Sequence, residues 1–346
     1  MEYLKRQVRL AGRGFGGCNR GKVYDGDPNT PSNATVHALR IFNGCNLTVS
    51  GASIDNSAAV DACTTSNPNS PDSFSITMRP EGSSPNQRFM TQVTRQPAGT
   101  SVILPVTSTR GFVVGEHVIV YPFGDTGRFC LQRRISALTP AAPPSLPFPT
   151  ISTVSPTGAT PPTNGFLPGT LVLAVGDPTV SLVPRYFAID NSKGYPRLVT
   201  WTSSNATQPG TDMSSNYDIV AEGVEDMQIS YACDVNDDDR LNEEQTTTGR
   251  LGAADEWFFN APGTETLPDC QHRTPKAVRI TLIARSRLAD QRFKVGFRPA
   301  AEDRGAGTPA NDRTISNNTG TYARRTLTVV VRPENMRQPR PAPSGP

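Results

Sequence analysis

IVAEGVEDMQISYACDVNDDDRLNEEQ, residues Ile219–Gln245, joins a patterned half to an acidic half. In the first half Met227, Ile229 and Tyr231 fall on one face of an extended chain, with Gln228 and Ser230 on the other. That period of two predicts a half-buried strand. The second half, from Asp234 onward, is a run of carboxylates and amides with no apolar face. The stretch is therefore a strand that delivers Cys233 and then an acidic loop.

Similar runs recur along the chain. Strands are expected at Phe74–Met78, Phe89–Val93, Ser101–Val106, His117–Tyr121, Phe129–Ile135 and Thr170–Val175. They resume at Val180–Ile189 and Arg197–Thr202, and two long ones follow the opening stretch, Ala277–Leu288 and Tyr322–Arg332. Val36–Phe42 is a single apolar run in a Gly- and Asn-rich segment. In GFVVGEHVIVYPF, Gly115-Glu116 reads as a tight turn feeding a strand, a unit found in small β-barrels. Pro140–Pro168 holds nine prolines. Proline lacks the N–H that a ladder needs, so this segment reads as a long surface loop. The tail RPENMRQPRPAPSGP is basic and proline-rich, the composition of a disordered end.

At the other end, Tyr3, Leu4, Val8 and Ala11 fall at helical spacing, and Gly12 or Gly14 can end the helix. Lys5, Arg6, Arg9 and Arg13 form its solvated face. About a dozen residues make a helix too short to stand alone in water, so this reads as the tail of a longer one.

The totals agree with a β-rich, turn-rich chain: 346 residues with 32 prolines and 29 glycines, long enough to bury a sizeable core. A net charge of +3 points to no nucleic-acid or anionic-membrane partner. The six cysteines, Cys18, Cys45, Cys63, Cys130, Cys233 and Cys270, have no C-x-x-C spacing. They predict up to three disulfides in an oxidising compartment, with pairing left open among fifteen connectivities and buried free thiols as the alternative. No run of ~18 apolar residues is present, and Met1 is followed at once by charged EYLKRQVRLAGR, which is no signal peptide.

Catalytic constellations are scarce. His37, His117 and His272 are the only histidines and none has a second at metal-ligand spacing. There is no G-x-S-x-G, H-E-x-x-H or phosphate-binding Gly-Lys-Ser/Thr loop. Glu225-Asp226 and Asp255-Glu256 are adjacent carboxylates without a visible partner, and read as solvated turn residues. A secreted hydrolase is disfavoured on these grounds. The acidic loop carries one candidate site, for calcium. Asp234, Asn236 and Asp238 stand at alternate positions, Arg240 offers a backbone carbonyl and Asn242 a side-chain oxygen, as hard-oxygen coordination requires. Two positions depart from the pattern. Asp239 replaces the turn glycine, which Asp tolerates better than most residues, and Gln245 replaces the bidentate acid, leaving Glu243 or Glu244 to supply it. A solvated acidic turn is the plainer alternative.

Four separated segments carry a family resemblance: EYLKRQVRLAGRGFGGC from Glu2, EGVEDMQISY from Glu222, KAVRITLIARS from Lys276 and YARRTLTVVVRPEN from Tyr322. Together they resemble the PilW family of type IV pilus minor pilins, in which the first ends a long helix and the last two form closing strands. The resemblance implies an α+β fold, a pilin-like helix packed on an antiparallel sheet and enlarged by a β-rich insertion. It divides the chain into 1–45 (helix end and turn), 46–178 (insertion with the proline-rich loop), 179–335 (sheet core) and 336–346 (disordered tail). It further implies a leader, a prepilin peptidase site and an apolar helix upstream, as in a chain shortened to a soluble form or one given too late a start. Without that helix the chain would be neither processed nor built into a filament.

What the resemblance implies is non-enzymatic. A PilW-like minor pilin primes assembly with other minor pilins and the major pilin, and sits in a tip complex holding a large tip adhesin. It would pass from periplasm and inner membrane to the extracellular pilus tip, touching membrane only through the missing helix. The alternatives are a type II secretion pseudopilin of the pseudopilus tip, or a secreted calcium-stabilised adhesin. In the latter, Trp201, Trp257 and Phe258 would form a glycan-stacking platform.

Overall fold

The computed structural model describes residues 1–12, 22–24, 35–42, 71–77, 90–96, 102–121, 130–142, 148–155, 166–176, 184–190, 195–202, 217–233, 241, 257–258, 275–288 and 322–333. The chain opens with helix α1 (Glu2–Leu10), then β1 (Lys22–Tyr24), β2 (Thr35–His37), β3 (Leu39–Phe42) and β4 (Ser73–Thr77). Next come β5 (Met90–Gln92), β6 (Ile103–Pro105), β7 (His117–Tyr121), β8 (Cys130–Thr139), β9 (Thr150–Val154) and β10 (Leu171–Gly176). The last group is β11 (Pro184–Asp190), β12 (Arg197–Thr202), β13 (Asp218–Glu222), β14 (Val224–Ala232), β15 (Trp257–Phe258), β16 (Ala277–Arg285) and β17 (Arg324–Val331).

This overturns the α+β expectation. The described residues are nearly all β, and their one helix has nine residues. The physical reason is local: Gly12 takes φ +74°, a conformation that ends a helix, and beyond it the β-branched runs take over. Leu4 and Val8 of this short helix, and Ala11 just after it, are buried, while Arg6 and Arg9 face solvent.

The chain divides into two compact units. The first comprises Met1–Ala11, Leu39–Ile76 and Pro184–Arg337; the second comprises Gly12–Ala38, Thr77–Val183 and Gln338–Pro346.

In the second unit β7 pairs antiparallel with β8 and β10, β10 with β5, β8 with β9, and β9 with β6. An antiparallel bridge between Val93 and Val106, just past the ends of β5 and β6, closes the circuit. Strands β5 to β10 thus form a barrel, to which β1 adds by parallel pairing with β8, and β2 by pairing with β1. Its interior is filled by side chains that include Leu104, Val106, Val118, Val120, Leu131, Ile135, Ile151, Phe166 and Val172. The turn before β7 is as expected: Glu116 N–H donates to the Val113 carbonyl at 3.2 Å, with Gly115 at φ +94°.

The proline-rich segment departs from its expected loop. Strand β9, TISTV, lies inside it and pairs on both sides, with β6 and β8. The prolines bracket this strand at Pro149 and Pro156 and leave its own amides free to donate, so composition over the whole segment concealed a ladder.

The first unit holds two sheets. One has the order β13-β12-β11-β4-β3, the other β15-β14-β16-β17. An aromatic core serves the former, with Phe74 stacked on Phe187 at 4.6 Å between centroids and Tyr186 on Trp201 at 5.4 Å. Burial pushes the Tyr186 hydroxyl's pKa up, with the charge of Arg40 opposing that shift.

Candidate functional site

The four-stranded sheet of the first unit is built around the stretch that opened the sequence reading. Strand β14 lies between β15 and β16, and β17 closes the order beyond β16. Met227, Ile229 and Tyr231 are buried as the alternation requires. Their polar neighbours are buried as well: Asp226, Gln228 and Ser230 are each no more than 4% exposed. The strand is therefore covered on both faces rather than half-buried. Such burial costs free energy unless the polar groups are paired. Gln228 Nε2 donates to Asp226 Oδ1 at 3.0 Å, and one strand further on the Thr281 and Thr328 hydroxyls meet at 3.2 Å.

The side of β14 away from β16 is closed by one residue that the sequence reading did not single out. Asp72, fully buried just before β4, donates its backbone N–H to the Met227 carbonyl at 2.8 Å. Its carboxylate Oδ2 accepts from the Ile229 N–H, also at 2.8 Å. A side chain and a main chain thus cap consecutive strand groups that no described strand pairs at that point.

At the other end of β14, Gly223 joins the unit's two sheets. Its N–H donates to the Pro196 carbonyl and its carbonyl accepts from the Arg285 N–H, each at 2.7 Å. A Cβ here would lie 2.6 Å from the Tyr195 hydroxyl and 2.8 Å from the Arg285 carbonyl oxygen, and φ is +79°. Glycine is required on both counts. Around it, the Arg285 guanidinium lies over the Tyr322 ring at 4.6 Å and near that of Tyr195 at 5.7 Å. Arg324 Nε meets Glu225 Oε1 at 2.7 Å, with both side chains largely buried. The segments EGVE, IARS and YARR, distant in sequence, therefore converge on one cluster. Glu225 and Asp226, expected as solvated turn residues, are structural partners within the sheet.

The remaining edge is different. Strand β17 pairs with β16 over eight residues, from Arg285↔Arg324 to Val278↔Val331. Among the described residues no strand pairs with its far side. Leu327 and Val330, which point to opposite faces, are each 48% exposed. Both faces of the sheet therefore emerge into solvent at this strand. An antiparallel edge directs about half of its N–H and C=O groups outward.

The other sequence candidates fall as follows. Asp234, Asn236, Asp238, Arg240 and Asn242, with Asp239, Glu243, Glu244 and Gln245, lie outside the described residues, as do Asp255, Glu256 and His272. No group of three or more His, Cys, Asp or Glu among the described residues is placed to hold a metal. His117 is buried in β7, its Nδ1 2.8 Å from Gln132 Nε2. Trp201 and Trp257 are buried, which overturns their reading as an exposed stacking platform; Arg279 lies over the Trp257 ring at 4.2 Å. The Phe258 side chain is outside the described set. Cys130 and Cys233 are buried, and the other four cysteines lie outside the described residues.

With this geometry in hand, comparison with known proteins is informative. Residues 185–335 match the family model of PilW, described as type IV pilus-assembly protein W. This stretch is similar to the PilW family. It runs from the start of β11 to just beyond β17, so it contains Gly223, the arginine–tyrosine cluster and the open edge. That likeness implies involvement in type IV pilus assembly, and PilW is not an enzyme family. It also suggests interaction with other pilus components and a place in the cell envelope or pilus. No described helix is long and apolar enough to cross a membrane. No curated protein and no solved structure matches the chain.

Proposed function

We propose that the protein is a non-enzymatic minor pilin that primes type IV pilus assembly and joins other minor pilins and the major pilin in a tip complex that holds a tip adhesin. The observation that carries this reading is the coincidence of the PilW match with the sheet that ends in β17. An open strand edge supports an assembly role directly, because a neighbouring subunit can continue the ladder without any rearrangement of the sheet. On this reading the protein moves from the periplasm and inner membrane to the extracellular pilus tip. The glycan-stacking alternative loses its support with the burial of Trp201 and Trp257.

Deleting the gene in its host tests the proposal. The expected result is loss of surface pili, restored by the full-length gene, together with recovery of other minor pilins on affinity purification of the protein. Normal piliation in the deletion strain, with no pilus subunit recovered, would overturn it.

A further inference from the structure

We infer that the outer edge of β17 receives an extended segment of another protein chain with an apolar centre flanked by carboxylates. The inference deepens the pilus-assembly reading, on which it rests for the occupant being a protein subunit. The charge pattern decides the chemistry. Strand β17 and the residue after it read RRTLTVVVR, with Arg324, Arg325 and Arg332 at the ends and no acid between them. Arg324 is already matched by Glu225, while Arg325 and Arg332 are exposed. Helix α1, which touches β17, carries Lys5, Arg6 and Arg9, with Lys5 paired to Glu2. Between the arginines, Leu327 and Val330 offer apolar surface on the two faces. Side chains opposite one another across an antiparallel pair interact directly, and like charges there are destabilising. A second copy of this strand would bring arginines against an already basic edge. An acid-flanked strand satisfies both the backbone and the charges.

The test uses the folded chain and three short probe peptides: ETVTVTE, its counterpart KTVTVTK, and ETVTVTE carrying alternate N-methylated amides. Binding is read by chemical-shift titration of the protein. ETVTVTE is expected to bind about tenfold or more tightly than KTVTVTK, the N-methylated form to lose binding, and Arg325→Glu to invert the charge preference. Arg325 is exposed, so an unchanged thermal melt of the variant confirms that folding is intact. No binding by any peptide, or equal binding of the two charge forms, would sink the inference. So would equal binding of the N-methylated peptide, which would mean attraction by charge alone. A dimer of the chain in sedimentation, dissolved by Leu327→Lys, would identify a second copy as the occupant and reject an acidic partner. Each of these failures leaves the piliation result untouched, so the two readings fail separately.

Discussion

The barrel of the second unit and the four-stranded sheet of the first manage strand edges in opposite ways. The barrel returns on itself: the bridge between Val93 and Val106 joins β5 to β6, and every strand from β5 to β10 has a neighbour on each side. Its core is a continuous apolar filling. Among the described residues the order of the sheet ends at β17, and strand β14 within it buries Asp226, Gln228 and Ser230. Closure consumes backbone groups inside the fold and makes the interior the source of stability. An open order keeps a row of backbone groups for use outside it, and then needs polar caps and a glycine joint to hold its interior edge. The difference sets an apolar filling in the barrel interior against unpaired backbone groups, among the described residues, at the sheet margin.

Four measurements test that contrast. The largest effect is expected in the barrel. Phe166→Ala removes a ring that is 3% exposed and should destabilise the chain by about 3–5 kcal/mol in denaturant unfolding. A loss below about 1 kcal/mol would show that the barrel interior is not the apolar anchor described. Next, Gly223→Ala must hold a positive φ and meet Tyr195 and the Arg285 carbonyl, for a cost of about 2–3 kcal/mol by thermal melting. Indifference to alanine there would remove the joint between the two sheets. Asp72→Ala leaves the Ile229 N–H without its acceptor and should cost about 1–3 kcal/mol, with Asp72→Asn recovering part of the loss because its amide oxygen still accepts. An equal loss for both variants would point to charge rather than the cap. Smallest is Leu327→Lys at the open edge, expected within about 0.5 kcal/mol of wild type in stability. A large destabilisation by this lysine would mean that the margin of the sheet is part of its core.

Much of this contrast was legible in the sequence, strand by strand. His117–Tyr121 and Arg197–Thr202 occur where the alternation and β-branched runs place them, and Ala277–Arg285 ends three residues short of the expected strand. Gly223 also left a signal, since a lone glycine between two strand-like runs marks a bulge or a close approach. The cap by Asp72 left none, because a carboxylate reaching a strand 157 positions away has no local pattern. Pairing of Arg324 with Glu225 is hidden for the same reason. Burial on both faces of β14 was missed because alternation reports which face is apolar, not whether the polar one is covered. The fold class failed differently: an α+β family expectation was laid over a chain whose described residues hold nine helical positions and seventeen strands.

The long ladder between β16 and β17 has a mechanical side. All eight register pairs lie across the direction in which a load along the strand would pull. A load along β17 is therefore carried in shear, with every cross-strand bond resisting at once, and does not peel them one after another. From β16 that load passes to β14 and, through the two short hydrogen bonds of Gly223, to Pro196 at the start of β12. Tension applied at the margin would be spread over two sheets before any single bond had to bear it.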